Sequence, residues 1–137
     1  MRILYNDTYQ ELELEKTSLK EQLTILLIGN DTMLSYLLGR FCERSGHQLA
    51  INPENLSINE IMTINPAVIV FLSTEILETA QALVGELASF DFPIMVCSAV
   101  VDETKARKLG ADYCLLHPIT YDDFQKAMTN ANISKRP

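Results

Sequence analysis

The run "LTILLIGNDTMLSYLLGRFCERSG" (Leu23–Gly46) decides the fold. Its first part is a continuous apolar stretch ending at Gly29, the pattern of a strand buried on both faces. Its second part sets Met33, Leu34, Leu37, Leu38, Phe41 and Cys42 at helical spacing and stops at Gly46. The pair is a βα unit, and the alternation repeats downstream. "HQLAIN" (His47–Asn52) reads as a second strand. Ser57 with Glu60 makes a capping box for a short helix that ends before Asn65-Pro66. "AVIVFL" (Ala67–Leu72) is a third strand. Thr74 or a neighbour caps a helix through "EILETAQALVGELASF" (Glu75–Phe90), with Ile76, Leu77, Ala80, Leu83, Val84 and Leu87 on one stripe.

"FPIMVCSA" (Phe92–Ala99) is a fourth strand, "DETKARKLG" (Asp102–Gly110) a short polar helix, and "DYCLLHP" (Asp112–Pro118) a fifth strand. Thr120 with Asp123 opens a last helix through Met128. Parallel connections must cross over, and they do so right-handedly. Five such units predict an α/β domain over residues 23–131, with a parallel sheet between two helical layers and a short tail over 132–137. Residues 1–22 fit a helix, through Tyr5, Tyr9, Leu12, Leu19 and Leu23. They fit equally a hairpin turning at Asn6-Asp7. This extension either packs on its own domain or joins copies into a homodimer.

The composition narrows the function classes. In 137 residues, 47% are apolar, 21% are charged and the net charge is −7, which fits one ordinary globular domain. The negative charge opposes binding to nucleic acid, which depends on Lys and Arg displacing counterions. Lys105, Arg107 and Lys108 cluster in one segment that reads as a solvated helix face. No apolar run is long enough to span a bilayer, and the N-terminus turns acidic too early for a signal peptide, so a cytoplasmic location is expected. Cys42, Cys97 and Cys114 stand singly in apolar segments, without metal-ligand spacing, and read as free thiols.

The strand ends Gly29-Asn30, Leu72-Ser73, Ser98-Ala99 and His117-Pro118 fall on one edge of such a sheet, where ligands of open α/β folds bind. With "ILLIGND", "LGRFCERSGH", "NPAVIVFLS", "FPIMVCSA" and above all "LGADYCLLHPI" in this order, the chain resembles the receiver domain of two-component response regulators. The resemblance implies the flavodoxin-like strand order 2-1-3-4-5. It also implies that a working member needs an acidic pair after the first strand to hold Mg²⁺, an Asp ending the third strand to accept a phosphoryl group, a Ser or Thr on the fourth, and a Lys before Pro on the fifth. Cation and Lys together neutralise charge developing on the phosphoryl oxygens. Here the acidic pair reads Gly29-Asn30, with Asp31 the nearest carboxylate; the acceptor position is Leu72 and the Lys position is His117. Only Ser98 matches.

The resemblance thus implies a degenerate phosphorylation pocket with no metal, cofactor or catalytic residue, and a module that acts by binding a protein: a sensor kinase, a regulator or a second copy. Other departures touch the surfaces receivers use for output. Cys114, beside Tyr113, stands where the family has its switching aromatic; the segment Ser98–Gly110 is about three residues short, close to a helical turn; and "STEILET" (Ser73–Thr79) replaces the usual "P-x-M-D-G" loop. Tyr113, Cys114, Lys105 and Lys108 are the candidate interaction residues. The alternative is a flavodoxin-like protein holding a small ligand or anion in the strand-end crevice, for which "GNDTM" (Gly29–Met33) offers one glycine. An enzyme is the weakest reading, since only His47 and His117 are available to build a general-base arrangement.

Overall fold

The computed structural model describes residues 22–52 and 56–134. The expectations for residues 1–21 and 135–137 lie outside this range. Five strands, β1 (Thr24–Ile28), β2 (Gln48–Asn52), β3 (Val68–Phe71), β4 (Ile94–Ser98) and β5 (Tyr113–Leu116), form one sheet of order β2-β1-β3-β4-β5, all neighbours parallel. This is the expected 2-1-3-4-5 order, a flavodoxin-like three-layer α/β/α arrangement.

Burial follows strand position. Every residue of the central strands β3 and β4 is buried, whereas β2, at the sheet edge, leaves Gln48 and Ile51 exposed and its other residues only partly covered. The helices α1 (Thr32–Ser45) and α6 (Tyr121–Ser134) cover one face. There Leu38, Phe41 and Phe124 pack on Ile25, Leu27, Val70 and Met95. The second face carries α2 (Ile58–Ile64), α3 (Thr74–Thr79), α4 (Gln81–Ser89) and α5 (Glu103–Lys108), with Ile61, Leu77, Leu87 and Ala106 against Leu26, Ile69, Phe71 and Val96. Phe71 and Phe124 are the largest fully buried side chains, one on each face.

Local signals account for most helix ends. Asp31 caps α1 by accepting from the Leu34 N–H at 3.0 Å, and Gly46 ends the helix in the left-handed region at φ 78°. The capping box of α2 forms in both directions: Ser57 Oγ accepts from Glu60 N–H, and Glu60 Oε1 accepts from Ser57 N–H. These bonds hold the exposed Glu60 carboxyl below its ordinary range.

Two helices depart from expectation. The long helix after β3 is two, divided at Ala80 (φ −107°, ψ 29°). The Leu77 carbonyl, which would otherwise accept the Gln81 N–H, accepts from the Ala80 N–H at 3.2 Å and the Gln81 amide at 2.9 Å; the same amide reaches Leu109 O at 2.8 Å. The last helix runs past Met128 to Ser134, because Met128 and Ala131 continue its buried stripe. Between β4 and β5 the chain makes one 3₁₀ turn (Val100–Asp102) and the six-residue α5, consistent with the shortened segment.

Candidate functional site

The ladder continues past the strands and sets the site residues level. Gly29 N–H donates to Asn52 O at 3.0 Å, Leu72 N–H to Ile28 O at 3.0 Å, and His117 N–H to Ser98 O at 3.1 Å. Gly29, Leu72, Ser98 and His117 therefore meet at the carboxyl edge of the sheet, as the strand order requires. Asp31 and the N-terminus of α3 stand around them. Leu72, Ser98, His117, Asp31 and the start of α3 line an open cleft of about 600 Å³.

The floor of the cleft is apolar. Leu72 is 2% exposed and belongs to the core with Val70 and Cys97. Gly29 has φ +137°, and a Cβ there would lie 2.9 Å from Ile76 Cδ1 and 3.0 Å from Leu72 Cβ. Glycine at this position lets the β3 and α3 side chains close over the end of β1. Among the described residues Ser98, 4% exposed, is the buried polar residue; its enclosed Oγ contacts the Cys114 thiol without a hydrogen bond of good geometry, and the buried Thr74 Oγ1 also lacks one.

The walls carry charge. Asp31, Glu75, Glu78 and Asp102 line the cleft, against Lys105 and His117. Lys105 Nζ lies 3.2 Å from Glu78 Oε1 in a half-exposed ion pair. Sequence reasoning reached Asp31, Leu72, Ser98 and His117 but not Glu75, Glu78 or Asp102. Glu75 and Asp102 lie a few residues beyond the ends of β3 and β4, and that proximity was the available signal.

The four candidate interaction residues divide among three places. Lys105 joins the cleft, and Lys108 is exposed on α5. Tyr113 and Cys114 line a groove between α5 and α6, where the Tyr113 hydroxyl donates to Asn130 O at 3.2 Å.

Comparison with solved structures decides the architecture. The response regulator signal receiver domain from Bermanella marisrubri superposes with a TM-score of 0.63 at 19% identity, covering 81% of this chain and 98% of that one. The fold is that of a receiver domain. Full-length FixJ from B. japonicum matches with a TM-score of 0.64 at 17% identity over 86% of this chain, and NtrX from Brucella abortus in complex with ADP with 0.64 at 16% over 84%. This chain spans 61% of that FixJ chain and 27% of that NtrX chain. No family model matches the sequence, and no curated protein matches it.

Receiver folds imply a divalent cation at this edge. Mg²⁺ requires near-octahedral oxygen donors at about 2.0–2.1 Å. Gly29 and Asn30 supply no carboxylate, the Leu72 side chain has no oxygen, and Asp31 Oδ1 is engaged as the α1 cap. Among the described residues, no group of three or more His, Cys, Asp or Glu side chains is placed to hold a metal ion. The donor set does not fit the ion. No helix among the described residues is long and apolar enough to cross a membrane.

The cysteines are free thiols. Burial pushes Cys42 up to about 11; burial, with a smaller contribution from the Asp31 charge, pushes Cys97 up to about 12. Cys114 is also raised by burial, against the opposing pull of Arg107 and of its contact with Ser98. Thiolates are the reactive species, so a thiol reagent at pH 8 is expected to modify Cys114 first, with Cys42 and Cys97 reacting only on unfolding. Because both core thiols are raised in the folded state, they favour folding below the ordinary value of 9.0, and that contribution is lost as pH climbs toward 11–12. Denaturant melts from pH 8 to 11 check this, and Cys97→Ala is expected to flatten the decline.

Proposed function

We propose that this chain is a receiver-fold module of two-component-type signalling that acts by binding a protein partner and does so without phosphoryl transfer. One observation carries the reading: the residue that directly follows β3 is Leu72, a buried side chain closed against Gly29. The position has no nucleophilic atom, and its surroundings are packed with carbon. The misfit of the donor set to Mg²⁺ supports the same conclusion, because phosphoryl transfer depends on positioned positive charge. The protein is then a binding module rather than an enzyme. Its carboxylate-lined cleft also weighs against an anion as ligand.

Incubation with acetyl phosphate and Mg²⁺, followed by intact mass measurement, tests the reading. The expected mass is unchanged. A gain of one phosphoryl group on an aspartate would contradict the proposal.

A further inference from the structure

We propose that residues 11–15, "ELELE", form a sixth strand that pairs antiparallel with the outer edge of β2, so that the chain covers its own sheet edge. Three observations point there. First, β2 offers an open edge: among the described residues it pairs with β1 alone. Gln48 N–H donates to Leu23 O, and Asn52 O accepts from Gly29 N–H, so these residues turn their main chain toward β1. By the alternation of a strand, Leu49 and Ile51 turn theirs outward. Second, the edge carries none of the usual guards. "QLAIN" has no charged residue and no proline, and Ile51 is 51% exposed; such an edge is a template for a further strand. Leu49 stands beside Ile25 and Ile51 beside Leu27, on the sheet face that α1 and α6 cover, so an added strand with apolar residues at alternate positions extends that core sideways.

Third, the chain enters beside this edge. Leu23 lies against the start of β2: its N–H donates to His47 Nδ1 at 3.2 Å, and its O accepts from Gln48 N–H at 2.7 Å. From Leu23 to the outer side of Gln48 is about 10 Å, two strand spacings. Residues 16–22 span up to about 23 Å, enough to turn back along β2. The other edge, at β5, lies across the sheet. Within residues 11–15, Leu12 and Leu14 alternate with glutamates, the pattern of a strand with one apolar face. On a helix, residues two apart do not share a face. Setting Leu14 opposite Leu49 and Leu12 opposite Ile51 makes both hydrogen-bonded pairs and joins each leucine to an apolar neighbour on the α1 face. Glu11, Glu13 and Glu15 then occupy the other face, where their charge guards the new edge.

Hydrogen exchange on the full, isotope-labelled chain tests the proposal at the Leu49 and Ile51 amides, with the core Phe71 amide as the folding control. The two edge amides are expected to exchange at least about 100-fold more slowly in the parent than in Leu12→Pro, which removes an N–H bonded to β2. Glu13→Pro removes an N–H that faces away from β2 and is expected to keep most of the protection. In the parent, the Hα atoms of Glu13 and Ala50, the non-hydrogen-bonded pair of this register, are expected to give a short-range NMR contact. Equal behaviour of the two proline variants, free exchange of both edge amides in the parent, or absence of the Glu13–Ala50 contact would overturn the proposal. Protection that disappears on dilution while the mass in solution halves would overturn it too, because a second copy would then supply the strand.

Discussion

Replacing Leu72 by aspartate is expected to lower the unfolding free energy by about 3–5 kcal/mol at pH 7 and to yield no phosphorylated protein. Leu72 is 2% exposed, so the new carboxylate would lose hydration, and Lys105, which lines the same cleft, is already paired with Glu78. Burial would raise the folded-state pKa of that aspartate above its unfolded value of about 3.9. Its neutral form would then be favoured in the folded protein. The penalty should be smallest near pH 4 and grow as pH rises toward the folded value. Leu72→Asn removes the ionisation but keeps the polarity, so its cost should be smaller, about 1–3 kcal/mol, and flat with pH. Urea melts of both variants from pH 4 to 8 measure this directly. An aspartate variant as stable as the parent would mean that the site is open to water and poised to accept a charge.

Gly29→Ala is the second large effect, with an expected loss of about 2–5 kcal/mol. Two costs combine. At φ +137° a side-chain-bearing residue is strained by about 1–3 kcal/mol. The added Cβ would also meet Leu72 Cβ at 3.0 Å, an atom fixed to the β3 backbone, so relief requires movement of the strand end, about 1–3 kcal/mol of overpacking. The double variant Gly29→Ala, Leu72→Ala should cost less than the sum of the singles, because the second change removes the branched side chain over the glycine. Strict additivity in thermal or denaturant melts would show that the two residues do not meet. Restoring an acidic residue at position 29 would incur both costs and add the desolvation of a charge.

The unequal legibility of the fold has physical causes. Strands such as Thr24–Ile28 and Val68–Phe71 were readable because burial on both faces forces an apolar run, and the Ser57–Glu60 box was readable because its bonds span three residues. The break at Ala80 was not, because Gln81 takes part of its bonding from Leu109 O, 28 residues away. The same divide runs through the site. Strand order alone places Gly29, Leu72, Ser98 and His117 together. Whether Glu75, Glu78 and Asp102 face the cleft depends on the phase at which α3 follows β3 and the 3₁₀ turn follows β4, which loop geometry sets and no residue pattern announces. The positive φ of Gly29 leaves no mark in the sequence beyond the glycine itself.

The central claim is that this receiver fold carries a site unable to hold the metal and phosphoryl group together. Titration of the labelled protein with Mg²⁺ and then with beryllofluoride, a phosphoryl mimic that needs an acceptor carboxylate, tests it at the backbone amides of Asn30, Leu72, Ser98 and His117. The account predicts no saturable shift at any of the four. Saturable shifts at those amides, dependent on both reagents, would contradict it.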